Sequence, residues 1–472
     1  MHVRIGEAGK RRGAIQIDLA RAACAGTRLL QRAGEGDQAV ANAQRLDARL
    51  RGDAGIDRPA MNDEIGRAHA ASRERGQRGL SKRTTAPAHV TPLLGQFAHQ
   101  AGGLEQRQAG SDGQMLCAGG WALGTWLTDE SMPATASLME QEARETPAVA
   151  ARLLGHRDDL ARLGERLRAL APRYALALGR GSSDAAALLA KYLFELRLGV
   201  PTVSAAPSVL SIYGRRLALE RALLLVISQS GRSPDLVEFC RAAAGPEVLR
   251  VALLNEPSAP LAGAVDTCLP LEAGQEKSVA ATKSCLAAML LAFALAAYWR
   301  ADRDAIVAFE RAPDALGKAL AQDWSAGEDF FAADGSVYVI GRGPGLAIAA
   351  EAALKLKETM GLHAEAVSAA EIRHGPLALA GPRLRVVIFA ARDAAFESLR
   401  QLGDELAQLG CPLLFISPQP ALSPLHVAPD AEPVLEHLAM LLRFYVLASA
   451  GALRRGRSPD APPLLRKITE TR

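Results

Sequence analysis

A short apolar strand running into a glycine-rich turn occurs twice in this chain, 162 residues apart: Tyr174-Ala-Leu-Ala-Leu178 into Gly179-Arg-Gly-Ser-Ser183, and Val337-Tyr-Val-Ile340 into Gly341-Arg-Gly-Pro-Gly345. The same spacing relates Leu224-Leu-Val-Ile227 to Val386-Val-Ile-Phe389, and Val251-Ala-Leu-Leu-Asn255 to Leu413-Leu-Phe-Ile-Ser417. Three strands sharing one offset mark an internal duplication. A later apolar segment, Ala288-Met-Leu-Leu291, returns as Ala439-Met-Leu-Leu442 after only 151 residues, so the first copy holds about 11 extra residues around Gln275 to Ser284.

Short strands alternating with helices predict a parallel sheet wrapped by helices in each copy. Aromatic residues are only 4% of the chain, so aliphatic side chains must fill the core, which suits helices on a parallel sheet. The expected fold is α/β: two tandem doubly wound parallel-sheet domains, residues 132–310 and 311–450, followed by a tail, 451–472. Ligands of such sheets sit outside the carboxyl ends of the strands. Residues 1–131 differ, being rich in Arg, Ala, Gly and Gln and lacking any sustained period of 3.6 or 2. They are expected to be a disordered extension or the result of a start assigned too early, with Met132 or Met139 the natural start; an unrecognised extra domain is the third reading.

That segment holds 18 of the 55 basic and 14 of the 51 acidic residues, leaving 37 of each sign in the body. A neutral body gives no electrostatic case for nucleic acid. The six cysteines (Cys24, Cys117, Cys240, Cys268, Cys285, Cys411) form no C-x-x-C pair and no zinc-spaced cluster, so no metal is expected and the thiols read as free ones in a reducing cytoplasm. No unbroken apolar run suited to a membrane span is evident, and Met1-His2-Val3-Arg4 lacks a signal-peptide core. A cytoplasmic protein without membrane contact is the expectation.

After its second long strand the first copy reads Ser228-Gln229-Ser230-Gly231-Arg232-Ser233-Pro234-Asp235, and a helix is predicted from Pro234. Hydroxyls, a glycine and a helix N-terminus converging there suit a phosphate dianion. Gly181-Ser182-Ser183 offers the same chemistry on the neighbouring turn. One such turn could merely cap a helix, but two side by side favour a ligand. The second copy has Ala390, Ala391, Arg392 and Asp393 at the matching positions, so only the first is equipped for phosphate. No G-x-x-x-x-G-K-[ST] loop is present.

The second copy instead concentrates ionisable groups. Glu351, Lys355 and Glu358 fall at i, i+4 and i+7, on one helical face, followed by His363-Ala-Glu365 and Glu371-Ile-Arg373-His374-Gly375-Pro376. A carboxylate can move protons between adjacent carbons and a histidine can open a sugar ring. Taken alone, the helix reads as an exposed, salt-bridged one.

Together, Ser228-Gln-Ser-Gly, Glu351-Ala-Ala-Leu-Lys-Leu-Lys-Glu358, His363-Ala-Glu365 and His374-Gly-Pro-Leu-Ala-Leu379 resemble the SIS (sugar isomerase) double-domain family, from about Met139 to the C-terminus. More narrowly they resemble the isomerase half of glucosamine-6-phosphate synthase and its deaminase relatives. The resemblance implies flavodoxin-like domains and phosphate binding by Ser183, Ser228, Gln229, Ser230 and Ser233. It implies sugar contacts from the loop Gly274–Lys283, including Val279 and Ala280, and a substrate-binding Lys355. It further implies Glu358 as catalytic glutamate, His374 as ring-opening histidine and Lys467 as the catalytic lysine of a tail that closes the site. No cofactor is implied. The histidine comes from the neighbouring subunit in this family, so a homodimer with shared active sites is implied.

Arg180, Arg232, Arg373 and Arg466 depart from the synthase pattern and put the substrate in question more than the phosphate site. The synthase also begins with a glutaminase domain whose nucleophile is a cysteine exposed by removal of Met1. Residue 2 here is His, and 131 residues are too few for that domain. The expected reaction is therefore glucosamine 6-phosphate and water to fructose 6-phosphate and ammonia. Related substrates are galactosamine 6-phosphate or an amino-acid adduct of fructose 6-phosphate. A sugar-phosphate sensor without turnover is the rival from another class.

Overall fold

The structure, a computed structural model, describes residues 136–467, which fall within one compact unit. The expectations for residues 1–131 lie outside the described residues. Among the described residues three α-helices come first: α1 (Leu138–Arg144), α2 (Thr146–Leu153) and α3 (Arg157–Leu170). The first lobe follows as β1 (Tyr174–Leu178), α4 (Ser182–Leu198), β2 (Thr202–Ser204), α5 (Ser208–Ser211), β3 (Ala222–Ser228), α6 (Pro234–Ala242), β4 (Val248–Leu254), β5 (Thr267–Pro270) and α7 (Lys283–Arg300). A connecting helix, α8 (Arg303–Leu320), leads to β6 (Ser336–Gly341), α9 (Gly345–Lys355), β7 (His363–Ser368), β8 (Leu384–Phe389), α10 (Phe396–Gln408), β9 (Leu413–Ile416) and α11 (Pro433–Arg454). The expected boundary at 310/311 falls inside α8.

Both sheets are parallel throughout, in the orders β2-β1-β3-β4-β5 and β7-β6-β8-β9. Tyr174 pairs with Ala222 and Ser336 with Leu384, so the duplication preserves strand register as well as sequence spacing. β3 is buried along its whole length, as a central strand covered on both faces must be. Glycine is needed at the first corner of each copy. A Cβ on Gly179 would lie 2.3 Å from the Ser183 carbonyl oxygen, and one on Gly341 2.1 Å from that of Gly345. Two residues on, Gly181 and Gly343 share a φ of +57°, which L side chains rarely adopt.

Two helices approach the membrane-span pattern without being uncharged runs: α7 starts at Lys283 and ends at Arg300, and α11 holds Glu436 and Arg443. α7 and α11 are long and apolar enough by composition, with mean hydropathies of 1.2 and 1.3. Their apolar windows are 89% and 94% buried, so their hydrophobicity serves the protein's own core. α1 belongs to neither sheet; it packs on α11, where Ser137 Oγ lies 2.6 Å from Ser449 Oγ and Met139 is fully buried.

Candidate active site

A cavity of about 230 Å³ opens beyond the carboxyl ends of β1 and β3. Its lining brings together Ser183, Ser228, Gln229, Ser230 and Ser233 from the first lobe, and Val279 from the inserted loop. Glu358 from the second lobe and Lys467 from the tail line the same space. Three residues singled out from sequence do not line it within this chain. Ala280 and Lys355 are fully buried outside the lining, and His374 is exposed on the 3₁₀ turn Glu371–His374.

The Ser228–Ser233 turn is built by tight backbone geometry. Gly231 donates its N–H to Ser228 Oγ at 3.0 Å with φ +61°, and a Cβ there would sit 2.5 Å from Leu254 Cδ1. Pro234 starts α6, and the preceding Ser233 caps it without committing its hydroxyl to the helix. Asp235 in the first turn is buried and accepts a hydrogen bond from the Arg180 guanidinium at 2.6 Å.

Glu358 sits in a π-helical turn, Leu356–Met360, that continues α9; such turns recur at functional sites. Thr359 Oγ1 donates to the Lys355 carbonyl at 2.8 Å within it. The fully buried Lys355 ammonium donates to Glu358 Oε2 and lies 3.4 Å from Glu351 Oε1. Glu351, fully buried, accepts from Ser182 Oγ at 3.1 Å and from Tyr445 OH at 3.0 Å. Burial pushes the Glu351 carboxyl up to about 7, against the pull of Lys355. Burial works against the Lys355 ammonium, but Glu351 and Glu358 outweigh it and hold its pKa above the ordinary value. The alternative of an exposed salt-bridged helix is thereby overturned. Helical spacing revealed the trio, whereas nothing in the sequence signalled that Ser182 and Tyr445 would complete it.

The inserted loop wraps a second buried carboxylate. Glu276 accepts from Thr282 N–H at 2.9 Å, Ser284 N–H at 3.2 Å and Ser284 Oγ at 2.7 Å. Its Oε2 meets Lys467 Nζ at 2.8 Å. Burial alone would raise the Glu276 pKa, but the Lys467 ammonium and these hydrogen bonds leave it below the ordinary value. Sequence reasoning gave Glu276 no role; its place in the extra segment was the available clue. Arg180 and Arg466 also line the cavity, giving it three cationic side chains against the single carboxylate of Glu358.

The SIS domain model matches residues 172–298 and 330–426, one segment in each lobe. The glutamine–fructose-6-phosphate aminotransferase (isomerizing) of Aeropyrum pernix is 32% identical over 314 residues, 62% of this chain and 50% of that protein. The chain spans about half the length of the curated relatives it matches. A crystal structure of a candidate phosphosugar isomerase from Silicibacter pomeroyi is 37% identical, with a TM-score of 0.64 over 69% of this chain and 100% of that one. Glucosamine-6-phosphate deaminase of Thermotoga maritima shares the fold at a TM-score of 0.56 and 21% identity, covering 71% of this chain and 100% of that one. Two parallel-sheet lobes, a common sheet register and these matches agree, and the chain belongs to the SIS domain family.

Proposed function

We propose that the chain is an amino-sugar-phosphate aldose–ketose isomerase and deaminase, converting glucosamine 6-phosphate and water into fructose 6-phosphate and ammonia. The observation that carries this reading is one cavity lined by both the hydroxyl-rich turn Ser228–Ser233 and the Glu358 carboxylate. The first grips a phosphate dianion through hydroxyls and the N-terminal end of α6. The second, oriented by Lys355, can carry a proton.

In this mechanism the pyranose opens with His374 protonating the ring oxygen as the C1 hydroxyl loses its proton. His374, exposed on its turn, serves the site of a second copy in a homodimer. Glu358 takes the C2 proton and returns one to C1, leaving an imine at C2 and a hydroxyl at C1. Water adds to the imine, ammonia departs and the ketone remains. Lys467, paired with Glu276, holds the open chain as a cation. The reaction as written uses neither metal nor cofactor, and its setting is the cytoplasm. The Aeropyrum relative's name includes fructose 6-phosphate and the Thermotoga neighbour's includes glucosamine 6-phosphate, which supports the substrate class.

Arg180 and Arg466 in the lining favour a second reading: a fructosamine 6-phosphate adduct whose added carboxylate meets them. A panel of glucosamine 6-phosphate, galactosamine 6-phosphate and such an adduct, followed by ammonia and ketose release, separates these. Turnover of glucosamine 6-phosphate is expected; turnover of the adduct alone would select the second reading. Binding of all three without turnover would mark a sensor.

A further inference from the structure

Residues outside both sheets hold the loop that walls the cavity. The carboxylate of Glu142 on α1, in a residue only 5% exposed, accepts the backbone N–H groups of Lys277 and Ser278, the latter at 3.1 Å. Two consecutive amides on one carboxylate fix the peptide planes that place Val279 and Ala281 in the lining. The next amide, Val279 N–H, donates to the Asp460 carbonyl at 3.0 Å. The Asp460 side chain returns to α1, accepting Leu138 N–H at 3.0 Å and Met139 N–H at 2.8 Å. Farther along the same tail, Lys467 reaches Glu276 at 2.8 Å, just before the clamped amides. The contacts form a closed circuit from helix to loop to tail and back to the helix.

We propose that Glu142 is a positioning residue of the site: by clamping the Lys277 and Ser278 amides it couples docking of the Lys467-bearing tail to the shape of the cavity wall. Helix α1 is thereby part of the substrate site without touching it. This deepens the deaminase reading, on which only the kinetic part of its test rests.

The test compares the full chain with Glu142→Ala, Glu142→Gln and Asp460→Asn by peptide-resolved hydrogen exchange and by kinetics with glucosamine 6-phosphate. Glu142→Ala is expected to speed exchange in both 276–282 and 456–467 while β1 and β3 stay protected. It should raise KM about tenfold, the order expected for losing a charge-assisted hydrogen bond, with a smaller change in kcat. Glu142→Gln keeps an acceptor oxygen and should recover most of both. Should Glu142→Ala loosen the whole molecule, Asp460→Asn decides, and the same two segments must loosen together. Faster exchange in 276–282 with an unchanged tail in these variants would overturn the proposal, as would loosening of both segments at unchanged KM. Wild type that fails to turn over the sugar phosphate defeats the deaminase reading, and the exchange pattern alone then judges the clamp.

Discussion

The two lobes share a register and a strand–turn–helix corner, yet the turns after β3 and β8 treat negative charge in opposite ways. In the first lobe Ser228, Gln229 and Ser230 face a cavity. In the second, the matching Arg392 is already occupied: its backbone N–H donates to Glu436 Oε2 and its Nε to Oε1, both at 2.7 Å. Asp430 N–H adds a third bond to that carboxylate at 3.0 Å. Glu436, fully buried in the first turn of α11, thus fills the second turn with a carboxylate of this chain. Asp393 replaces Gly231 and does not adopt its left-handed conformation. On the proposed reading, one copy of the duplicated turn binds the phosphate while the other is closed by a carboxylate from its own chain.

The sharpest way to break this division is Glu358→Gln. It should lower kcat by about 10²–10⁴-fold, while protection by inorganic phosphate survives. Turnover that persists would show that the second lobe does not carry the proton. Next in size is pH dependence from Glu351. Its pKa is raised to about 7 in the fold, so the folded state holds the proton more tightly than the unfolded chain. Its stabilising contribution is complete below the ordinary glutamate range and disappears as pH rises through about 7. Over that interval the loss is up to about 3 kcal/mol. Denaturant midpoints across pH should show this slope in the wild type and lack it in Glu351→Gln.

Glu436→Gln tests the closed turn. Loss of the buried counter-charge to Arg392 should cost about 2 kcal/mol of stability by chemical denaturation. KM should stay unchanged if, as proposed, the second turn binds no substrate. Smallest is the pair Ser230→Ala and Arg392→Ala, at matching positions of the two turns. The first should weaken sugar-phosphate binding by about tenfold, the scale of one hydrogen bond to a charged group. The second should leave it alone; an equal effect would mean both lobes bind phosphate.

Much of this site was legible because its parts are local. The serine turn, the glycine corners and the i, i+4, i+7 face each lie within a dozen residues. Glu351 and Lys355 were identified, but their burial was not: charged residues on an alanine-rich helix look alike whether they face water or a second lobe. The same ambiguity affects α7 and α11, whose length and composition resemble spans although their apolar windows are almost wholly buried.

The sequence by itself determined the duplication, the parallel α/β lobes and the division between a hydroxyl-bearing copy and one rich in ionisable groups, because each is written in short-range periodicity and turn chemistry. Only the tertiary structure decided that Tyr445 would reach Glu351, that Glu436 would close the second turn, and that Lys467 would meet Glu276 across 191 positions. Those contacts depend on how separate helices pack, and a buried charge takes whichever partner the packing brings within hydrogen-bond reach.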